Sequence, residues 1–389
     1  MLKFGASTKG KIGLLVPRSQ FLQDANQEFV QGLQLYLTLY GDELNEENCE
    51  LIIEDIGNAG INSTKEKVEK LLLADKVDVL IGMISYKVAL ELHPLFESKE
   101  KLMLIVNPGA HMIADEAQKP YLFGHSLQCW QHSYMFGQYA ASNIGSNVYM
   151  FNSLYDAGFD NHTTFAAGFQ EAGGTQWGTG ITHILSESDP LKEAFDAAPW
   201  QEIDWVYAHY TGLKLFQFLE EYANYGAKVP VCLSPMAIAQ KIPSRYHHLE
   251  GGYISAHCGY HGNETSAYAD FVSQCQKYLS QEPSPFTLLG YESGEIAYKL
   301  FKLAFLNKGA YNEQINLLKQ LRIKSPRGEV VMNPDMQVTQ APLSISQLSL
   351  KNGTVSASNL YTQSGISEEN QHLEFIRNQP KSSWLHPYG

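Results

Sequence analysis

No stretch of this 389-residue chain approaches the ~18 consecutive apolar residues that a bilayer-spanning helix needs, so a membrane span is not expected. Basic residues are scarce: 28 Lys and Arg stand against 41 Asp and Glu, giving a formal net charge of −13. Binding to a phosphate backbone needs clustered cations, so no nucleic-acid partner is expected. Cysteine is sparse as well. Cys49, Cys129, Cys232, Cys258 and Cys275 are odd in number, widely spaced and without a CxxC pair. That pattern indicates neither a zinc site nor a disulfide framework; buried thiols are the simpler reading, with a single bridge left open. The signatures GxSxG, HExxH, GxxxxGKS/T and GxGxxG are all missing, so neither catalysis nor a nucleotide cofactor is expected. The first residues, MLKFGASTKGK, also lack an apolar leader core and a cleavage site. They fit a cytoplasmic chain that starts at Met1, and equally an exported one whose leader has been removed.

What is present is ordinary for a globular protein: 44% hydrophobic and 18% charged residues, in a length that suits two domains. Short apolar runs alternate with amphipathic stretches. Lys11–Pro17, Cys49–Ile56, Val77–Gly82 and Lys101–Asn107 read as strands, and helices are expected over Asp24–Tyr40, Ser63–Ala74 and Lys87–Ser98. Successive strand–helix–strand units with continuously apolar strands imply a parallel sheet covered by helices on both faces. A second series follows from about residue 126. Its strands are Asn147–Asn152, Thr182–Leu185, Asp204–Ala208 and Val229–Leu233; its helices are Gln131–Ile144, Asn161–Ala172, Pro190–Ala198 and Gly212–Tyr225. Beyond residue 250 the pattern gives a strand at Gly251–Ala256 and helices over Ser266–Leu279 and Tyr291–Asn307. A turn-rich hairpin at Ser325–Met332, a late strand at Leu343–Leu350 and a polar surface tail from Ser364 complete it.

Open parallel sheets bind ligands beyond the carboxyl ends of their strands. That rule selects the loops 17–21, 85–86, 108–111, 153–159, 209–212 and 234–237, which are rich in Ser, Tyr, His and Gly and poor in charge. Ser19, Gln20, Ser85, Gly109, Ala110 and His111 are candidate polar contacts, several beside a helix start where backbone N–H groups hold anions. Tyr86, Tyr155 and Tyr210 are candidate aromatic walls. Plainer roles compete: Ser85 reads equally as a helix cap, Gly109 as a turn residue, and Asp156 and Asp160 as groups at helix starts. His209 and the His247–His248 pair find no third ligand at helical spacing, so no metal is expected.

The order of these segments resembles the type I periplasmic binding proteins of the branched-chain amino-acid (Leu/Ile/Val) receptor family, over roughly Lys11 to Lys351. The resemblance is carried by KIGLLVPRSQFLQDANQEFVQGL at 11–33, VDVLIGMIS at 77–85, IVNPGAH at 105–111 and YDAGFDNHTTFAAGF at 155–169 with Gly173–Gly174. LGYESGEIAY at 289–298 and SPRGEVVMNP at 325–334 complete it. It implies two Rossmann-like α/β lobes with parallel-rich sheets, joined by three crossovers and closing on a small molecule. Lobe 1 would hold residues 1–123 and 254–326, and lobe 2 residues 124–253 and 327–389. A monomer is implied, delivering a small-molecule ligand to a membrane ABC permease, with a cytoplasmic sensor of the same fold, or less readily an enzyme acting in the cleft, as alternatives. The family's hydroxyl contact falls on Ser85, its carboxylate-holding loop on Gly109, Ala110 and His111, and its second-lobe aromatic on Tyr210. Its usual Tyr-Gly pair is here Ala157–Gly158, leaving Tyr155 to supply an aromatic wall. Its ammonium-pairing acid falls near Met236, which carries no charge, so Asp156 or a tyrosine hydroxyl is the nearest substitute. Branched-chain amino acids are therefore not expected to bind in the family's usual way.

Overall fold

The computed structural model describes residues 9–41, 48–112, 119–182, 191–238, 241–257, 265–306 and 310–363. The chain opens with β1 (Gly10–Val16), α1 (Ala25–Tyr40), β2 (Cys49–Asp55), α2 (Ile61–Glu69), β3 (Val79–Met83), α3 (Tyr86–Lys99), β4 (Met103–Asn107) and β5 (Leu122–Ser126). It continues through α4 (Cys129–Asn143), β6 (Asn147–Ser153), the single turn α5 (Leu154–Ala157), α6 (Asp160–Glu171), β7 (Thr175–Thr182), α7 (Leu191–Asp196), β8 (Trp205–His209), α8 (Leu213–Tyr225), β9 (Val231–Leu233) and β10 (Gly251–Ser255). Then come α9 (Ser266–Leu279), α10 (Pro285–Phe301), α11 (Tyr311–Lys319), β11 (Arg322–Ser325), β12 (Gly328–Asn333), β13 (Val338–Gln340), β14 (Leu343–Lys351) and β15 (Thr354–Gln363).

These strands form two sheets. The first runs β11-β12-β13-β5-β4-β3-β1-β2, and the second β15-β14-β10-β9-β8-β6-β7. Within each, the strands that alternate with helices pair in parallel, while β11, β12, β14 and β15 add antiparallel pairs toward one edge. Strands β3, β4 and β8 are buried along their whole length, as continuous apolar runs covered on both faces must be. This is the two-lobed α/β architecture expected from the sequence.

The chain passes between the sheets three times: at Leu127–Gln128, between β10 and α9, and at Ala341–Pro342. The expected lobe boundary at 326 falls instead inside a hairpin. Ser325 pairs with Gly328 across the turn at Pro326–Arg327, and β12 and β13 stay with the first sheet. The reason is that β13 lies parallel to β5 and closes the sheet edge that β5 would otherwise leave open. For the same reason the boundary at 123 cuts β5, which extends to Ser126.

Other differences from the sequence reading have local causes. Helix α10 begins at Pro285 rather than Tyr291, because Ser284 and Thr287 form a reciprocal capping box with Pro285 in the first turn. The strand expected at Thr182–Leu185 is β7, seven residues earlier. It is an edge strand with Trp177 and Ile181 exposed and two glycines, so its sequence lacks an apolar run. The helical stretch after β2 divides into α2 and a π-helical turn at Lys70–Asp75. Strands β5 and β15 and helix α11 were not anticipated. Residues 183–185, Pro190, Cys258 and the tail from Ser364 lie outside the described residues; the other four cysteines are free thiols.

Each lobe is built on one tight helix pair. In the first, α1 and α10 meet at Gly32 and Gly290, where an added Cβ would fall on the carbonyl oxygens of Thr287 and Phe29. In the second, α4 and α6 meet in the same way at Gly137 and Gly168, against the carbonyls of Phe165 and Tyr134. Both partners in each contact are backbone, so neither side can yield by a rotamer change. Gly290→Ala should therefore lower stability by about 1–3 kcal/mol despite alanine's better helix propensity. The urea midpoint reads this directly; an unchanged or higher midpoint would mean that α1 and α10 separate without penalty.

Candidate functional site

The carboxyl ends of the two sheets face each other, and the loops that follow their strands make the seam. On the first-lobe side the β1 loop carries Ser19, whose Oγ accepts from the backbone N of Phe21 and of Leu22 at 3.2 and 3.0 Å. That turn holds Phe21 outward, where its ring stacks on Tyr155 of the second lobe with centroids 4.0 Å apart. After β4, Asn107 organises the next loop: its Nδ2 donates to Ile84 O at 3.1 Å and its Oδ1 accepts from Gly109 N at 2.9 Å. Gly109 adopts φ +77°, and a Cβ there would stand 2.8 Å from Gln128 N, so glycine is required on both counts.

On the second-lobe side the centre is Asp156. Ser153, at the end of β6, donates its hydroxyl to Asp156 Oδ2 at 2.6 Å, and Thr211 donates through both backbone N and Oγ1 at 3.0 and 2.7 Å. One carboxylate thus ties the loop after β6 to the loop after β8. Burial pushes its pKa up to about 6, against the pull of those hydrogen bonds. Behind it, His209 Nδ1 lies 2.8 Å and His162 Nδ1 3.2 Å from Asn152 Oδ1. Burial holds both imidazoles below their usual range, His209 at about 3.

The lobes touch through Asp160, the first residue of α6. Its backbone N donates to Ala110 O at 3.0 Å and its Oδ2 accepts from Met112 N at 2.8 Å. His111 Nδ1 stands 3.5 Å from the same carboxylate oxygen, with the imidazole edge-on to Phe159. Met236, after β9 in the second lobe, packs into the apolar core of the first.

Between these contacts lies a small cavity of about 30 Å³. Leu22, Pro108, Tyr155, Phe159 and Met236 give its apolar walls, and Ala110, Asp156, Asn161 and Thr211 complete it. Four of the eleven residues singled out from sequence line it: Ala110, Tyr155, Asp156 and Met236. Gly109 and His111 stand beside it, in the loop that Asp160 grips. Thr211, Phe159 and Pro108 lie in loops that the strand-end rule selects, whereas Leu22 falls just past one of them and Asn161 on the first residue of an expected helix. Asn161 had one usable signal, a second polar residue directly after a strand-end loop.

The remaining five do other work. Ser85 is the N-cap of α3, its Oγ accepting from Val88 N at 3.2 Å. Tyr86 lies over Gly124 of β5 and packs on the first core, so it is not a cavity wall. Tyr210 is 1% exposed, stacked on Phe218 within the second core with its hydroxyl 3.3 Å from Thr182 Oγ1. Gln20 is exposed, and the Ser19 oxygen serves its own turn. For Ser19, Ser85, Tyr86 and Tyr210 a turn, capping or packing role engages the side chain outside the cavity.

Two α/β lobes with a cavity enclosed by the loops of both sheets define a two-lobed binding protein. The chain belongs to the periplasmic binding protein family, whose model matches residues 9–354. It is 22% identical over 340 residues to a protein of Brucella abortus (strain 2308) named Leu/Ile/Val-binding protein homolog 6, with 85% of each chain covered. In fold it is similar to an ABC transporter substrate-binding protein from Sphaerobacter thermophilus, at a TM-score of 0.79 and 22% identity, covering 92% of this chain and 98% of that one. It is also similar to an ABC transporter solute-binding protein from Rhodopseudomonas palustris BisB5 solved with 3,4-dihydroxybenzoic acid. There the TM-score is 0.75 and the identity 20%, with the same coverage.

The raised pKa of Asp156 has a stability consequence. The folded state holds this proton up to about pH 6, whereas the unfolded chain releases it near 3.8. The contribution is complete below about pH 3.8 and is lost as pH rises through about 6. Asp156→Asn should therefore show a flatter pH dependence of unfolding free energy between those values than the parent protein. Parallel slopes for the two proteins would show that Asp156 does not titrate in that window.

Proposed function

We propose that the protein is a solute receptor: it captures a small molecule between its lobes and presents the closed form to a membrane ABC permease for uptake. The observation that carries this reading is the cavity itself, enclosed by loops from both sheets, so that a bound molecule touches both lobes and favours their apposition. Family membership and the ABC-transporter neighbours support it. The reading places the protein in the periplasm or outside the cell, working as a monomer, with no catalytic step. Its ligand is amino-acid-like, a carboxylate, or an aromatic or amide compound, held at the cleft around Asp156, Tyr155, Ala110 and Met236.

At about 30 Å³ the cavity accommodates about two water molecules, far less than any of these ligands. The ligand therefore enters with the lobes apart, and the Phe21–Tyr155 stack and the Asp160 contacts are remade or displaced around it. An aromatic pair of this kind contributes about 0.5–1.5 kcal/mol beyond its buried area. Phe21→Ala should shift the ligand-free population toward open forms, seen as a larger radius of gyration in small-angle scattering. An unchanged radius would mean that this stack does not hold the lobes together.

Met236 stands where the resemblance places an acid, and its neighbours are apolar core residues of the first lobe. Leucine should therefore bind weakly by calorimetry; tight leucine binding that survives Met236→Ala would overturn this account of the cleft. The receptor reading as a whole is tested by a thermal-shift screen of amino acids, aromatic acids and amides. A ligand present at about 100 times its Kd adds roughly 2.7 kcal/mol to stability. Hits recovered chemically unchanged after incubation support a receptor, and steady conversion of a hit would make the protein an enzyme instead.

A further inference from the structure

Asn161 is the second residue of α6, next to the Asp160 that grips the first lobe. It is 5% exposed and lines the cavity, yet its Oδ1 is buried with no hydrogen-bond partner among the described residues. Buried amide oxygens are rarely left this way, because water is lost without replacement. The rest of that wall has the same character. The Thr211 hydroxyl proton is engaged by Asp156, so Thr211 Oγ1 offers lone pairs to the cavity, and Asp156 offers a carboxylate. Among the described residues, no Lys, Arg or His lines the space.

We propose that Asn161 is a specificity residue that accepts a hydrogen bond from the ligand, so that the ligand presents a hydroxyl or amino donor, rather than an anionic group, to the second lobe. This rests on the receptor reading given above. A ligand anion at this end would lie beside Asp156 with no lining cation to offset it, which burial makes expensive. A donor at the same place satisfies Asn161 Oδ1, and the apolar remainder of the ligand meets Leu22, Pro108, Phe159 and Met236. An ammonium and a neutral hydroxyl both supply the donor, and they differ in what they do to Asp156.

The test is calorimetry on the full chain with matched probes that differ by one donor. The probes are 4-hydroxybenzoate and 4-aminobenzoate against benzoate, and leucine against 4-methylpentanoate. At least one donor-bearing probe should bind about tenfold or more tightly than its bare counterpart. That preference should fall to near parity in Asn161→Leu and persist in Asn161→Asp, which keeps an acceptor at the position; circular dichroism and the urea midpoint check that both variants are folded. The aromatic and leucine pairs separate hydroxyl or arylamine recognition from ammonium recognition. Binding without donor preference, or a preference undiminished in Asn161→Leu, overturns the role of Asn161 and leaves the receptor reading standing. Failure of all five probes to bind removes the amino-acid and aromatic-acid part of the proposed ligand range, and the inference with it.

Discussion

Asp160 is the point on which the apposition of the lobes depends. Its backbone N–H and carboxylate engage two successive sites, Ala110 O and Met112 N, on the loop that follows β4. The carboxylate sits in the first turn of α6, where the helix field already favours negative charge. The same loop is fixed a second time to the second lobe. Cys129 N donates to Pro108 O and Trp130 N to Gly109 O, so the loop carbonyls satisfy the free N–H groups that begin α4. One five-residue stretch of the first lobe, 108–112, thus holds α4 beside a crossover and α6 at the seam. The contacts on α4 lie next to the first crossover, the pivot between the lobes, and those on Asp160 lie at the seam.

The first-lobe end of the pivot is held by charge. Arg327, at the hairpin turn between β11 and β12, makes a two-pronged pair with Glu292 of α10 at 2.8 and 2.9 Å and donates to Ser126 O at 3.0 Å. Ser126 is the last residue before the first crossover. His125 Nε2 stands 3.0 Å from Glu292 while its Nδ1 faces Thr339 Oγ1 at 2.8 Å. Burial raises the Glu292 pKa, but Arg327 and His125 outweigh it and hold the group at about 2. Burial itself keeps His125 below its usual range. A buried pair of this kind adds little net stability over an apolar substitute, but losing one partner strands a charge in the core. The arrangement therefore fixes where Ser126 sits. Gln128 completes the link by accepting from Ala341 N at 2.8 Å, which joins the first crossover to the third.

The fold was legible in the sequence because its signals are local. Apolar runs such as Leu80–Met83 and Leu104–Val106 announce buried parallel strands, and the helices between them carry caps and apolar stripes. Where those signals are weak, the reading slipped. Strand β7 exposes one face and carries glycines, and α10 starts at a proline that looks like a loop residue. The lobe boundary at 326 went astray for a different reason. That boundary is what the family resemblance implies, whereas the long-range pairing of β13 with β5, which no local signal announces, keeps the hairpin with the first sheet. The site divides in the same manner. Strand ends can be found in a sequence, so most of the loops that meet at the seam are legible there. Rotamers cannot, and so Tyr86 and Tyr210, plausible walls by position, turned out to be core residues, while Asn161 was hidden behind the apparent capping role of its neighbour.

What the cleft accepts follows from the state of Asp156. Its carboxyl, which burial pushes up to about 6, is half-protonated near pH 6 and mostly ionised at neutral pH. Three donors already reach it from Ser153 and Thr211, so the carboxylate is organised but still penalised by burial. A ligand cation placed beside it would lower its pKa and restore full ionisation. A neutral hydroxyl would leave it where it is, and an anion would drive it to the protonated form. Met236 contributes no charge to shift that balance, and among the described residues no Lys or Arg joins the lining. On the receptor reading, the occupant is therefore discriminated less by size than by the sign and hydrogen-bonding sense of the group it turns toward the second lobe.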